Sequence, residues 1–479
     1  MLRRELLCLA GLLLISLSAG NAGIISRYSV NTVKRSGPVG NGVTDIFREG
    51  DYLWLGTGNG LSRFTFSTNE FESYENAENL IDEGISALYV KGDTLLVAAG
   101  IDTFIKAIDA TVDWGKGLSF SSDNGETWKY IEQPGETPGQ NVVWDFTLQN
   151  GVIWAASFGG GLLKSTDFGE TWQVETPDSL VFDPVHVLNH LPFSVLSTGD
   201  ALWVGTSGGI NKSMDGGHTW EKFTFSNQQE HISGNWVVNI AHQKDADHEA
   251  IWACTWKAEG MDETYAVSRT DDGGRTWDIL LQGERAYDIA FDGPNVYVAT
   301  WTSGLWKSPD YGETWYNFQN IRDRQSSTRL FTNEFYSVYA SNDSLWVGTL
   351  DGLAFTENNG YTWTLYRAFR STRLDGEPRT YAYPNPFSST RDNVLGETGH
   401  VRIQYNTTDA AEVTVKVYDF AMDLVTTVCD GKYRAGGGDY SEVWNGSNDY
   451  GDTVANGVYF YSVEISGDGA YWGKIMVVN

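Results

Sequence analysis

The chain has 479 residues, with 62 acidic and 33 basic side chains and a formal net charge of −29. So acidic a balance excludes nucleic acid and anionic membrane surfaces as partners, because both require a basic footprint. Aromatic residues at 14%, with 19 Trp and 53 Gly, suit many short strands and tight turns and argue against both a helical fold and disorder.

At the start, Arg3 and Arg4 precede an apolar run from Leu6 to Leu17, and Gly20-Asn21-Ala22 supplies small residues for cleavage. That is the pattern of a secretory signal peptide over residues 1–22. The run is too short to span a bilayer. The mature chain is therefore expected outside the cytoplasm, reached by way of the periplasm, either secreted or at the cell surface and with no membrane insertion. Cys254 and Cys429 remain after cleavage and fall in different domains, so no disulfide framework is expected.

A five-residue phrase then recurs seven times, as Leu53–Thr57, Leu95–Ala99, Ile153–Ser157, Leu202–Thr206, Ile251–Thr255, Val296–Thr300 and Leu345–Thr349. Each is a short apolar run ending in small residues, as a fully buried strand should be. Six of the seven are followed by an eight-residue pattern with a hydroxyl residue, Asp, Gly and Thr-Trp at fixed spacing. It reads Ser121-x-Asp123-x-Gly125-x-Thr127-Trp128 and returns around Asp167, Asp215, Asp272 and Asp310, with Asn358 in a worn sixth copy. The Asp can close a tight turn by accepting backbone N–H groups, Gly supplies a backbone angle closed to other residues, and Thr-Trp restarts a strand.

Apolar residues ahead of each phrase, the phrase, a Gly-Leu strand such as Gly304–Lys307, and a strand opening with Thr-Trp make four strands per unit. First strands are expected to start near 42, 84, 142, 193, 236, 286 and 335. Whether Ile24–Gly40 adds an outer closing strand to the last unit is left open by the sequence.

The Ser-x-Asp-x-Gly-x-Thr-Trp turn resembles the Asp-box, or bacterial neuraminidase, repeat. That family's members are β-propellers, among them sialidases, sortilin-like receptors, xyloglucan-cleaving enzymes and photosystem assembly factors. The resemblance implies an all-β, seven-bladed β-propeller over residues 23–366, and such breadth of activity makes it an indicator of fold. It gives Asp123, Asp167, Asp215, Asp272, Asp310 and Asn358 a structural role in turns.

Residues 367–382 read as a linker, with Arg367, Arg370, Arg373 and Arg379 set in an otherwise acidic protein. Beyond it, alternating runs at Val401–Tyr405, Val413–Tyr418, Leu424–Val428, Tyr440–Trp444, Val458–Ile465 and Lys474–Val478 predict a β-sandwich over 383–479. Pro384-Asn385-Pro386-Phe387, Val417-Tyr418-Asp419, Trp444-Asn445-Gly446, Gly457–Tyr461 and Gly473–Val478 resemble the type A C-terminal sorting domain of the type IX secretion system. That domain is related to the immunoglobulin-like module of flagellar hook-capping proteins. The resemblance implies that the tail engages the type IX machinery for export. Ala421 and Asn445 depart from the family's commoner Gly and Asp.

Aligning the units on the recurrent phrase exposes a column near the start of each first strand: Asp45, Ala87, Asp145, Ser194, Asn239, Asp288 and Ser337. At the same end, where second strands finish, stand Gly58, Gly100, Phe158, Ser207, Trp256, Trp301 and Leu350, followed by long insertions at Ile101–Lys116 and Lys257–Ala266. The Asp turns fall at the opposite end. Phe158, Trp256 and Trp301 are candidate ligand-binding residues, suited to an extracellular glycan or protein. Asp45, Asp145 and Asp288 are candidate catalytic carboxylates of a glycoside hydrolase or lyase. The competing account of the same column is that its polar groups bond the backbone of the neighbouring unit.

Sialidase activity is unlike this chain, which lacks the phenylalanine-arginine-isoleucine-proline motif and has few arginines on the candidate face. No metal site or cofactor is expected. His186 and His190 lie between Pro184 and Pro192 in a loop, and His242, Asp245, Asp247 and His248 in a polar insertion. Asp449 and Asp452 flank Gly451 as a hairpin turn would require. The leading expectation is a non-catalytic binding propeller, with a polysaccharide-cleaving enzyme and an envelope assembly factor as alternatives.

Overall fold

The computed structural model describes residues 27–29, 32–74, 80–81, 83–105, 110–134, 140–246, 248–258, 262–318, 320–324, 328–368, 372, 378–395 and 398–479. The signal-peptide expectation over 1–22 lies outside these residues, as do Arg370, Arg373 and Asp247. The chain divides into two compact units. One takes in residues up to Leu330 together with Phe335–Ala368, and the other Phe331–Glu334 together with Phe369–Asn479.

Among the described residues the first unit holds seven antiparallel sheets. Their first strands are Val43–Glu49, Ile85–Lys91, Val143–Gln149, Pro192–Ser197, Trp236–Lys244, Ala286–Asp292 and Phe335–Ser341, each within one residue of its expected start. Each first strand touches the first strand of the next sheet, and the seventh returns to the first, so the seven strands enclose a common axis. This is a β-propeller arrangement.

Second strands carry the recurrent phrase and are buried on both faces, which is why they read as unbroken apolar runs. Their large residues, Trp54, Trp154, Trp203, Trp252, Tyr297 and Trp346, are almost wholly buried between sheets. Burying such a ring stabilises the fold by roughly 2–3 kcal/mol. Opposite the polar column the second strands carry only small residues, such as Gly56 against Asp45 and Gly348 against Ser337. A Cβ on Gly348 would approach the Val43 carbonyl oxygen of the first sheet to 2.6 Å, so the seventh and first sheets close only around a glycine there.

The repeated turn is built as its residues dictate. In the fifth copy Ser308 Oγ donates to Asp310 Oδ1 at 2.8 Å, and that oxygen accepts the Thr314 N–H at 2.8 Å. Asp310 Oδ2 accepts the Thr314 hydroxyl at 2.6 Å, and Ser308 Oγ accepts the Gly312 N–H at 2.8 Å. Gly312 has φ +96°, and a Cβ there would meet Trp252 of the preceding sheet at 2.7 Å. The glycine thus answers two demands, a left-handed backbone and a ring pressed against it. In five of the six copies the fourth strand begins just after the Trp, where a start at Thr-Trp was expected; only Thr127–Ile131 includes the pair. That copy differs in having an outer partner, Ser29 pairing with Thr127.

Among the described residues, the segment ahead of the first sheet adds no strand to the last sheet, though the Asn41 carbonyl accepts the Gly352 N–H of that sheet at 2.9 Å. Arg27–Ser29 pairs with Thr127–Ile131 as an outer strand of the second sheet, and Thr32–Arg35 pairs with Glu70–Tyr74 on the first. Arg367, expected in the linker, is buried in the first unit, where its guanidinium reaches Asp351 Oδ2 at 3.1 Å and the Arg329 carbonyl at 2.8 Å.

The second unit is a two-sheet β-sandwich. Thr380–Tyr383, Val401–Asn406 and Asp439–Trp444 form one sheet; Leu424–Arg434, Ala411–Tyr418, Gly457–Ile465 and Gly469–Val477 form the other. Its first strand starts ahead of the boundary expected at 383, inside the expected linker. Phe387, Val401, Ile403, Val413, Val415, Tyr461, Val463 and Ile475 make its core. Asp449 and Asp452 sit in a turn whose Asn448 Oδ1 accepts the Tyr450 and Asp452 N–H groups, both at 2.9 Å. No helix among the described residues is long and apolar enough to cross a membrane.

Candidate functional site

The three candidate carboxylates all stand in the first-strand column, and the structure brings them into one another's electrostatic range around the axis. Each is engaged in the same way. Asp45 accepts the Ile46 N–H on Oδ1 and, from the next sheet, the Leu88 N–H on Oδ2, both at 2.9 Å. Asp145 accepts Phe146 N–H at 2.7 Å and, from the next sheet, Val195 N–H at 2.8 Å. Asp288 accepts Ile289 N–H and, from the next sheet, Val338 N–H, both at 2.8 Å, and Asn239 Nδ2 from the preceding sheet at 3.1 Å. Ser337 repeats the latch at the closure, its hydroxyl donating to the Val43 carbonyl at 3.2 Å.

These side chains are walled in by protein and only partly open to the axis. Burial holds Asp45 well above the usual carboxylate range, with the Asp288 charge adding to it. Burial likewise lifts Asp145 to about 7 and Asp288 to about 6, against the N–H groups that pull both downward. A raised carboxyl pKa is common to catalytic acids and to buried structural groups. Geometry separates the two here. A general acid or base must turn an oxygen toward the reacting atom; here each Oδ2 would first have to release a main-chain amide of the next sheet, and each Oδ1 the amide of the next residue in its own strand.

At the same end, the strand-exit residues carry aromatic rings. Trp256 and Trp301 stack with centroids 6.3 Å apart and planes 20° from parallel, and the Arg285 guanidinium lies over both, 4.6 and 4.1 Å from the ring centres. Trp256 is half-buried, with Nε1 donating to the Ala286 carbonyl at 2.8 Å, whereas Trp301 is only 9% exposed. Trp301 therefore backs the cluster and Trp256 faces outward. Tyr287 packs edge-on against Trp256 at 5.2 Å and against Tyr336 at 5.5 Å. Phe158 stands apart from this group and stacks at 5.0 Å on Phe193, which in turn approaches Trp236 at 6.3 Å.

Sequence reasoning missed the residue just ahead of the column. Every first strand shifts register there, between Val43 and Asp45, between Val143 and Asp145, and at the matching place in the other five. The extra residue of each bulge, left out of the ladder, is Thr44, Ser86, Trp144, Phe193, Val238, Tyr287 or Tyr336. Four of the seven are aromatic, and Trp144 is 37% exposed. Strict alternation conceals such a position, since a bulge is not encoded in the hydrophobic period. The aromatic enrichment at one register position was the available signal.

The insertions flank this end. Thr94–Ile105 and Ala110–Ser121 extend the second sheet's hairpin, and Glu263 of the other insertion ties down Asn235, its Oε1 accepting Asn235 Nδ2 at 2.6 Å. His186 and His190 each bond a different acid, His190 Nε2 lying 2.8 Å from Asp178 Oδ1 and His186 Nδ1 2.9 Å from Asp183 Oδ2. No group of three potential metal-ligating side chains occurs among the described residues. The turn carboxylates lie at the far end, and Asp167 and Asp272 are held down to about 2, Asp167 chiefly by the Thr171 hydroxyl and Asp272 by the Thr276 N–H and hydroxyl, which outweigh its burial.

Residues 390–469 match the family model of the FlgD Ig-like domain. No curated protein matches the chain in sequence. Among solved structures, the Niastella koreensis GH74 enzyme aligns with a TM-score of 0.50 at 13% identity, over 94% of this chain and 74% of that one. An ancestral GH74 enzyme aligns with a TM-score of 0.51 at 16% identity over 93% of this chain, which spans 63% of the enzyme's length. YCF48 bound to D1 peptide aligns with a TM-score of 0.45 at 17% identity, over 71% of this chain and 98% of that one. Likeness at this level is a likeness of fold, and it is to β-propellers, with the FlgD-type immunoglobulin-like domain following at the C-terminal end.

Proposed function

We propose that the chain is an extracellular binding module. Its seven sheets are the blades of a seven-bladed Asp-box propeller, its ligand is a glycan or protein held at the end carrying Phe158, Trp256 and Trp301, and its tail directs export through the type IX machinery. The observation that carries the non-catalytic reading is the engagement of both oxygens of Asp45, Asp145 and Asp288 by main-chain amides. Carboxylates that fasten blades are a poor source of an acid–base pair, while aromatic rings gathered at the same end are a good source of contact area.

A glycan and polysaccharide array on the mature chain, paired with assay of reducing-end release, tests this. The expected outcome is that no sugar is released and that whatever ligand binds, glycan or protein, binds more weakly to Trp256→Ala. Release of reducing ends that Asp145→Asn or Asp288→Asn abolishes would replace this reading with the second one, a polysaccharide-cleaving enzyme. That alternative draws on the raised carboxyl pKa values of the same residues.

A further inference from the structure

The connection from the third sheet to the fourth, residues 176–191, joins the candidate face, because fourth strands end where first strands begin. It places Leu180, Val181, Val185 and Leu188 in solvent, at 56%, 90%, 38% and 42% exposure. A loose loop would fold such side chains inward. Here a polar clasp prevents it. His190 is buried and stacks on Phe182 at 5.7 Å; its Nδ1 accepts the Asp183 N–H at 2.9 Å and its Nε2 faces Asp178 Oδ1. Asp183 Oδ1 accepts the N–H groups of Val185 and His186, both at 3.1 Å, and the Thr176 hydroxyl binds the Leu180 carbonyl at 2.8 Å. Buried Asn189 anchors the loop's end, its Oδ1 accepting Asn211 Nδ2 at 2.9 Å.

The loop runs directly into Pro192 and Phe193, which stacks on Phe158, and a Cβ on Gly161 beside Phe158 would meet Phe182 at 2.7 Å. Phe182 of the loop and the Phe158–Phe193 pair are therefore neighbours at this end, and Trp144 stands on the strand just after Val142, whose carbonyl accepts the Phe158 N–H at 3.0 Å. Its charge is mainly acidic. Neither Tyr130–Leu163 nor Gln173–Asn211 contains a Lys or Arg, and Glu132, Asp178 and Asp183 lie at this end, with cations beside it that include Lys164, paired with Glu175 at 3.3 Å, and Lys222, near Asp178.

We infer that Trp144, Leu180, Val181, Val185, Leu188 and Phe193 form a docking surface for a cationic apolar segment of another protein. Branched aliphatic side chains offer a polyol neither a hydrogen bond nor a flat ring, and they match protein side chains in shape. The acidic surround selects a partner whose apolar residues stand among Lys or Arg. Holding the loop in place beforehand removes an ordering cost from association. This inference rests on the binding-module reading and narrows its ligand from glycan or protein to protein.

The test uses the mature full chain and fluorescence anisotropy with two sets of synthetic peptides. Both carry Leu, Phe and Trp in identical positions; one has Lys and Arg between them and the other has Glu. The cationic set binds, weakens as salt is raised, and loses roughly tenfold or more in affinity on Val181→Asp or Leu188→Asp, the loss expected of contact residues. Both substitutions lie on exposed positions, and an unchanged thermal midpoint verifies the fold; Trp144→Ala supplies an independent probe on a different strand. Equal binding of the two sets, indifference to all three substitutions, or binding of neither set overturns the inference. If array glycans bind while neither peptide set does, the inference fails and the binding-module reading stands. If nothing binds, both fail.

Discussion

Asp145→Asn separates a blade latch from its own titration, since the amide keeps the side chain's shape and cannot ionise. Burial raises the Asp145 carboxyl from 3.8 to about 7 in the folded chain. The folded-state value lies above the unfolded one, so between the two the folded protein keeps a proton that the unfolded chain has released. The stability linked to this group is fully present below about pH 4 and is lost as pH rises through about 7. Within that window the slope is about 1.4 kcal/mol per pH unit. Raising the pH from about 5 to about 7 would remove roughly 2 kcal/mol, the slope halving as pH reaches the folded value, and screening by water at the axis trims this further. Urea unfolding of the mature wild type and of Asp145→Asn at both pH values gives the difference directly, because Asp45 and Asp288 contribute to both proteins. The wild type should lose up to roughly 2 kcal/mol relative to the variant over this range. A difference that stays constant, or that grows in favour of the wild type as pH rises, would refute the assignment of a buried carboxyl dominated by desolvation.

Other consequences follow from neighbouring positions in the same ring. Ser194→Ala should leave the unfolding midpoint unchanged or raised, because its buried hydroxyl has no hydrogen-bond partner, while Ser337→Ala should lower stability by about 1 kcal/mol through loss of the bond to Val43. Gly348→Ala drives a methyl group into the closure between the seventh and first sheets and should cost about 1–3 kcal/mol by the same measurement. The turn carboxylates behave oppositely to Asp145. Asp167 and Asp272 are held down to about 2 in the fold, so the stability they supply is present above the unfolded value near 4 and fades as pH falls through about 2. An Asp167→Ala, Asp272→Ala double variant should therefore show a shallower loss of stability in acid than the wild type.

The parts of this molecule that repeat are legible in its sequence. Seven buried phrases and six turns locate every first strand to within a residue, because burial on both faces and a left-handed glycine are each demands that few residue types meet. The sandwich strands were legible for a different reason, period-two alternation over one buried face as in Ala411–Tyr418, although Val401–Asn406 is buried throughout. What escaped was non-repeating or off-period. The bulge that leaves Trp144, Phe193, Tyr287 and Tyr336 out of the ladder adds a residue that alternation cannot reveal. Around His190 the sequence reads only as a loop between Pro184 and Pro192, since it shows neither the acid partners in space nor the exposure of Val181. The column of Asp45, Asp145 and Asp288 is legible from the alignment of the units, but its competing roles are not. A carboxylate that binds a neighbouring blade and one that binds a substrate occupy the same position in a repeat, and only the destination of each oxygen tells them apart.

The central claim is that the column holds the blades together while the aromatic and apolar residues beside it bind. The most direct measurement compares Asp288→Ala with Trp144→Ala in one preparation of the mature chain, reading urea midpoint, ligand affinity and reducing-end release together. Asp288→Ala orphans the Ile289 and Val338 amides and should lower stability by roughly 2–5 kcal/mol with affinity retained. Trp144→Ala should weaken binding and leave the midpoint nearly unchanged. An Asp288→Ala protein as stable as the wild type that has lost the release of sugar would contradict the account.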